Sequence, residues 1–141
     1  MLNPCQIKTP LPEDALRLST CVARESLSVL GDMDVTVLGK DPNISADKLL
    51  GKVVTVSVLM RDQTTRELSG YVTRFTQSGT DGAYYAYQMT VRPWLWMLTR
   101  TADCRIFQDM SVPDIVKSVF ADHPVADFEL KLFRSYSKWT Y

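Results

Sequence analysis

The chain has 141 residues, with sixteen Lys and Arg balanced by sixteen Asp and Glu. That length fits one domain, or one domain plus part of another, and is enough to bury a real core. The cancelled charge excludes an electrostatically driven nucleic-acid binder and a polybasic membrane-surface protein, and it removes a usual defence against self-association.

No apolar run approaches the roughly 18 residues that a membrane-spanning helix needs. The opening Met-Leu-Asn-Pro-Cys-Gln-Ile-Lys lacks the basic-then-apolar order of a signal peptide. Cys5, Cys21 and Cys104 are odd in number and widely spaced, which fits neither a zinc pattern nor a disulfide framework.

Thr9-Pro10-Leu11-Pro12 reads as an extended lead-in stiffened by its prolines. Leu16, Leu18, Thr20 and Val22 alternate with Arg17, Ser19 and Cys21, predicting a strand with one buried face. Met33, Val35 and Val37 predict a second, and Glu25-Ser26-Leu27-Ser28 between them reads as a bend rather than a tight hairpin. Past the loop 39–43, Ser45 reads as an N-cap of a short helix, with Asp47 in its first turn, Leu49 and Leu50 facing inward, and Gly51 as its stop.

Residues 52–60 are the clearest strand: Val54, Val56, Val58 and Met60 share one face, and the other face is largely apolar or neutral, as in a central strand. After the polar turn 61–66, Leu68, Gly70 and Val72 resume alternation, and the apolar phase then slips to Phe75. The slip predicts a bulge, and Gly70 predicts curvature or a close backbone neighbour. Ser78-Gly79-Thr80-Asp81-Gly82 is a turn with Asp-Gly at its tip, and Tyr85, Tyr87, Met89 and Val91 form the inward face of the return strand.

Residues 91–108 carry the densest apolar area, with Trp94, Leu95, Trp96, Met97, Leu98, Ile106 and Phe107. They read as an aromatic plug, a structural core between sheet and helix. Pro93 closes the strand that precedes them, since it cannot donate to a ladder. Ser111, Pro113 and Asp114 then start a helix at about 111–121, whose stripe Val112, Ile115, Val116, Val119 and Phe120 is expected to dock on the sheet. Phe128, Leu130 and Leu132 predict one more strand at about 127–133. The aromatics Tyr136, Trp139 and Tyr141 close the chain without a polar tail, which reads as a chain cut within a domain or one finished by another subunit, the cut being favoured.

The predicted class is therefore mainly β with short helices (β+α): an antiparallel β-barrel at 1–100, and a helix and strand at 101–141 beginning a second, incomplete module. Reaction chemistry finds little support. His123, the only histidine, stands at a helix exit, and no context joins it to a serine or cysteine as nucleophile and base. Asp32-Met33-Asp34 is read as setting two carboxylates on opposite faces of a strand, which excludes them as an acid/base pair, and Gly-Thr-Asp-Gly lacks the Lys-Ser/Thr of a phosphate loop. Tyr84, Tyr85, Tyr87, Trp94 and Trp96 allow an alternative reading, a free-standing small barrel that stacks single-stranded nucleic acid or holds a small ligand; without basic enrichment they read better as core and packing interface.

One block has a recognisable order. Arg92-Pro93-Trp94-Leu95-Trp96, then Leu98-Thr99, then Cys104-Arg105-Ile106-Phe107-Gln108, resembles the signature of the VgrG family, the trimeric spike tip of the type VI secretion system. The lead-in Thr9-Pro10-Leu11-Pro12, Leu49-Leu50-Gly51 before the valine-rich strand, and Arg66-Glu67-Leu68-Ser69-Gly70-Tyr71-Val72 extend the likeness over most of the chain. It is strongest to the family's N-terminal domain, related to the baseplate hub of contractile phage tails. The resemblance implies a non-enzymatic hub that trimerises into a ring, sits on the hexameric Hcp tube, and delivers effectors, with effector or adaptor proteins as further partners. It implies no cofactor, no nucleic acid and no direct membrane insertion by this segment. It also implies assembly in the bacterial cytoplasm and export by the secretion machine without a signal peptide. Of the residues quoted, Arg92, Pro93, Trp94, Trp96, Leu98, Cys104, Arg105, Ile106, Phe107 and Gln108 are carried over as core and motif positions, with none assigned to catalysis, cofactor or metal.

Overall fold

A computed structural model describes residues 4–141; the first three residues of the stretch read for a signal peptide lie outside the described residues. The chain divides into two compact units, Met1–Pro93 and Trp94–Tyr141. The division falls at the proline that ends the alternating pattern, earlier than the expected boundary at 100.

The first unit is one six-stranded antiparallel sheet. Its strands are β1 (Cys5–Lys8), β2 (Leu16–Ser26), β3 (Val29–Gly39), β4 (Val53–Leu59), β5 (Thr65–Asp81) and β6 (Tyr84–Arg92), in the order β1-β4-β5-β6-β3-β2. The sheet curls so that its two edges, β1 and β2, bring Cα atoms within 8 Å of each other, yet no ladder joins them. The result is a half-barrel rather than a closed barrel. Register shifts drive the curl, between Leu18 and Thr20 and between Arg24 and Ser26 on β2, and between Val72 and Arg74 and between Gln77 and Gly79 on β5.

The core lies on the concave face. Val37, Val56 and Val91 have no exposed surface, and Val35, Val54, Val72, Tyr87 and Met89 have almost none. The expected alternation of β3, β4 and β6 is therefore present, but β4 is one-sided: Val53 and Leu59 are exposed, and Met60 lies beyond the strand. The bulge expected between Val72 and Phe75 sits between Val72 and Arg74. It sets Phe75 parallel to Tyr87, with ring centroids 5.2 Å apart. The backbone neighbour expected at Gly70 is Arg92: a Cβ there would lie 2.7 Å from the Arg92 carbonyl oxygen and 2.9 Å from a Val91 methyl.

Three local expectations need correction. The bend at 25–28 is a tight hairpin, because Ser26 pairs with Val29 and Ser28 takes the left-handed conformation (φ 62°) with no glycine to announce it. The short helix is a single 3₁₀ turn, Ala46–Lys48; Ser45 makes no side-chain cap, and only Leu49 points inward, Leu50 being exposed. On β2 the bulge reverses the face that Thr20 and Val22 were expected to share with Leu16 and Leu18, leaving both exposed and turning Cys21 inward.

The second unit begins with a 3₁₀ segment, Trp94–Arg100, and contains one helix, α1 (Val112–Ala121). Ser111 caps α1 by accepting the Asp114 amide at 3.4 Å, and its hydroxyl donates to the Asp114 carboxylate at 2.6 Å. Within this unit the helix packs through Phe120 against Trp94 and Phe128. The strand expected at 127–133 does not form. Its alternation is real, but no neighbouring segment supplies a ladder, and Phe128, Leu130 and Leu132 all stay exposed. A single bridge, Met110 with Trp139, is the isolated pairing among the described residues.

Candidate functional site

The Arg92–Gln108 block starts on the sheet and continues into the second unit. Arg92 ends β6 half-buried and donates to the Thr73 hydroxyl at 3.3 Å; that hydroxyl donates in turn to the Thr90 carbonyl at 3.1 Å. The bulge before Arg74 places Thr73 for this contact. Pro93 then ends the ladder, as its missing N–H requires.

Trp94 is the anchor of the second unit. Its indole N–H donates to the Asp127 carbonyl at 2.6 Å, and its ring meets Phe120 edge-on at 4.8 Å and Phe128 at 6.5 Å. Phe120 and Phe128 meet edge-on at 4.7 Å, which completes an aromatic triangle. Trp96 carries the Arg100 guanidinium 5.6 Å above its ring, and its carbonyl accepts the Thr99 hydroxyl at 2.7 Å. Leu98 and Phe107 are half-buried, whereas Cys104, Arg105, Ile106 and Gln108 are exposed.

The block is therefore not the fully enclosed plug expected from its composition. Of residues 91–108 only Val91 is buried, and it belongs to β6; Ile106 keeps 86% of its surface exposed. Aromatic density measures how much area could be hidden, but a unit of about 50 residues has too little chain to enclose it.

Arg105 forms ion pairs with Asp103 and with Asp122 at the end of α1, tying the irregular segment before the helix to its far end. The Arg105 guanidinium holds the Asp103 carboxyl below its ordinary value, and the two aspartates push Arg105 up. On the half-barrel, Arg24 bridges Asp32 and Asp34 on the neighbouring strand, so the two carboxylates share a face instead of standing on opposite ones, as residues two apart on a strand do, and its hydrogen bond lowers the Asp34 carboxyl. These are solvated pairs that fix local geometry.

Of the five aromatics weighed as a stacking platform, Tyr87 has almost no exposed surface, its hydroxyl donating to the Asp41 carbonyl at 2.6 Å, and Tyr84 is covered by Arg17 at 5.2 Å. Trp94 is occupied within its own cluster. His123 closes the helix through its backbone N–H to Phe120. Among the described residues no three His, Cys, Asp or Glu side chains converge as metal ligands would. What the geometry does offer is backbone: the outer edges of β1 and β2 each present one side without a ladder.

The profile of the family described as phage tail baseplate hub (GPD) matches residues 24–141. The chain belongs to the phage tail baseplate hub family. Among curated hub relatives it is 40% identical over 136 residues to the type VI secretion system spike protein VgrG1b of Pseudomonas aeruginosa, covering 96% of this chain and 18% of that protein. VgrG1c of the same organism is 41% identical over 135 residues, covering 96% and 19%. The chain thus spans about a fifth of the length of these curated relatives.

The hub fold is also that of a solved structure, the Escherichia coli c3393 protein, described as a component of the type VI secretion system with structural similarity to the T4 bacteriophage tail proteins gp27 and gp5. The TM-score is 0.77 at 21% identity, covering 96% of this chain and 37% of that one.

Proposed function

We propose that this chain is the hub segment of a type VI secretion spike of the VgrG kind, a structural part that trimerises, seats on the hexameric Hcp tube and serves effector delivery. The observation that carries this reading is the 40–41% identity to VgrG1b and VgrG1c across 96% of the chain. The physical layout supports it. The outward side of the curled sheet leaves Val22, Val53 and Leu59 exposed, surface suited to heterologous contacts that close a ring. Ile106, Phe133 and Trp139 add exposed apolar surface in the second unit, the kind that marks an interaction face.

The segment acts by shape and needs no reacting group; effector or adaptor proteins are its cargo-side partners. Synthesis in the bacterial cytoplasm and export by the machine itself, without a signal peptide, belong to the same reading.

Light scattering after size exclusion tests it, on the chain alone and mixed with purified Hcp. The expected result is a mass of three chains and co-elution with the Hcp ring. A monomer at all concentrations that ignores Hcp, or a salt-sensitive shift with single-stranded oligonucleotide, overturns it.

A further inference from the structure

We propose that Cys5 and Cys21 are a modification site, a thiol pair that closes into a disulfide across the seam of the half-barrel. Nothing in the hub function requires such a bond, and the inference stands independently of that reading.

The fold brings the two together from opposite edges of one sheet. β1 and β2 are its terminal strands, joined by residues 9–15 and running antiparallel, with Cα atoms within 8 Å and no ladder between them. Cys5 alternates with Gln6 so that Cys5 and Ile7 pack on the core. Cys21 reaches the same side only because of the register shift between Leu18 and Thr20. Leu16 and Leu18 set an inward phase on even numbers, and the bulge moves it to Cys21. Cys5 and Cys21 therefore both stand on the core side of the two facing edge strands.

Each is half-buried, and all three cysteines are thiols in this structure. The electrostatics agree with closeness: burial first, then a charge on Cys5, pushes the Cys21 thiol up. A disulfide needs a Cα separation of about 4.4–6.8 Å, the range of directly paired antiparallel strands, so closing it draws the two edges to ladder spacing.

The oxidant is a small-molecule disulfide such as oxidised glutathione. The Cys5 thiolate attacks one of its sulfurs, forming a mixed disulfide and expelling one glutathione thiolate. The Cys21 thiolate then attacks the Cys5 sulfur, the bond to glutathione breaks, and a second thiolate leaves. The protein loses two protons and two electrons, the oxidant becomes two thiols, and the two protons pass through solvent to the leaving groups. Because the Cys21 thiol is raised, closure speeds up with rising pH.

The test is titration of the full chain with oxidised glutathione, read by intact mass, peptide mapping and thermal melting. The expected product has lost about 2 Da and carries a Cys5–Cys21 linked peptide. It melts about 5–10 °C higher, as expected for a bridged loop of this length. C5S and C21S each abolish link and shift, while C104S, at the exposed third cysteine, keeps both. Should a serine variant fold poorly, the reduced wild-type chain is the reference and the linked-peptide yield decides. Stable glutathione adducts on Cys5 without closure overturn the proposal. So do pairing of either residue with Cys104, dimers linked through Cys5 or Cys21, or a closed bond that leaves the melting temperature unchanged.

Discussion

Tyr87 and Trp94 are both large aromatics that donate one hydrogen bond to a backbone carbonyl, at 2.6 Å in each case. Tyr87 keeps 1% of its surface exposed, whereas Trp94 is only half-buried. The difference lies in what surrounds them. Tyr87 has a curved sheet on all sides, with Phe75 stacked on its face and valines from four strands sharing the same hollow. Trp94 has two phenylalanines, one from a helix of ten residues and one from an irregular segment. A sheet that curls encloses its concave face by its own covalent continuity, but a helix with irregular flanks covers only what it touches. The half-barrel is therefore the stable frame, and the second unit is a smaller aromatic cluster with much apolar surface outside it.

The sharpest way to break this comparison is Tyr87→Ala. It removes a fully enclosed ring, a stacking partner and a carbonyl's donor, and should cost about 3–5 kcal/mol in urea unfolding followed by far-ultraviolet circular dichroism. A loss below 1 kcal/mol would mean that the concave face is not the core.

Trp94→Ala comes next, at about 1–2 kcal/mol, reduced because the ring is only partly enclosed. Hydrogen exchange should show faster exchange across α1 while the amides of β3 and β6 keep their protection. If β3 and β6 lose protection to the same degree, the two units unfold as one and the contrast between them fails.

The smallest effect is electrostatic. The Arg24 hydrogen bond holds the Asp34 carboxyl below its ordinary value of 3.8, so its stabilisation is present above that value and is lost as pH falls through the lowered one. Unfolding midpoints taken from pH 6 down to pH 2 should fall more steeply for the wild type than for Arg24→Met, by a small margin because the pair is solvated. Superimposable acid profiles would show that the pair contributes nothing to the half-barrel.

Much of the half-barrel was legible from residue order. The alternation of Met33, Val35 and Val37, of Val54 and Val56, and of Tyr87, Met89 and Val91 is a two-residue period written directly in side-chain type. The slip at Phe75 and the lone Gly70 announced a bulge and a close backbone, and both are present. The Ser111 cap was equally readable, since Ser-x-x-Asp needs only four residues to satisfy itself.

The failures in the second unit and on β2 share a cause: each depended on chain distant from the residues that were read. Phe128, Leu130 and Leu132 alternate as well as any strand here, yet pairing needs a neighbour that the described unit does not provide. The tryptophans were counted correctly as area and wrongly as interior, because burial depends on enclosing chain and not on local density. The bulge after Leu18 left no trace in composition, so the side on which Thr20, Cys21 and Val22 fall could not be read from alternation alone.

Taken alone, residue order determined the antiparallel strands, the helix start and the hub-family likeness carried by residues 92–108, because each is encoded in a short run of neighbours. Tertiary structure decided that the sheet stops short of closing, that the aromatic block remains half-exposed, and that Cys5 and Cys21 face one seam. The first and last of these turn on register shifts accumulated over several strands. A single displaced residue changes which side faces inward along everything that follows it, and only the assembled ladder shows where the displacement falls.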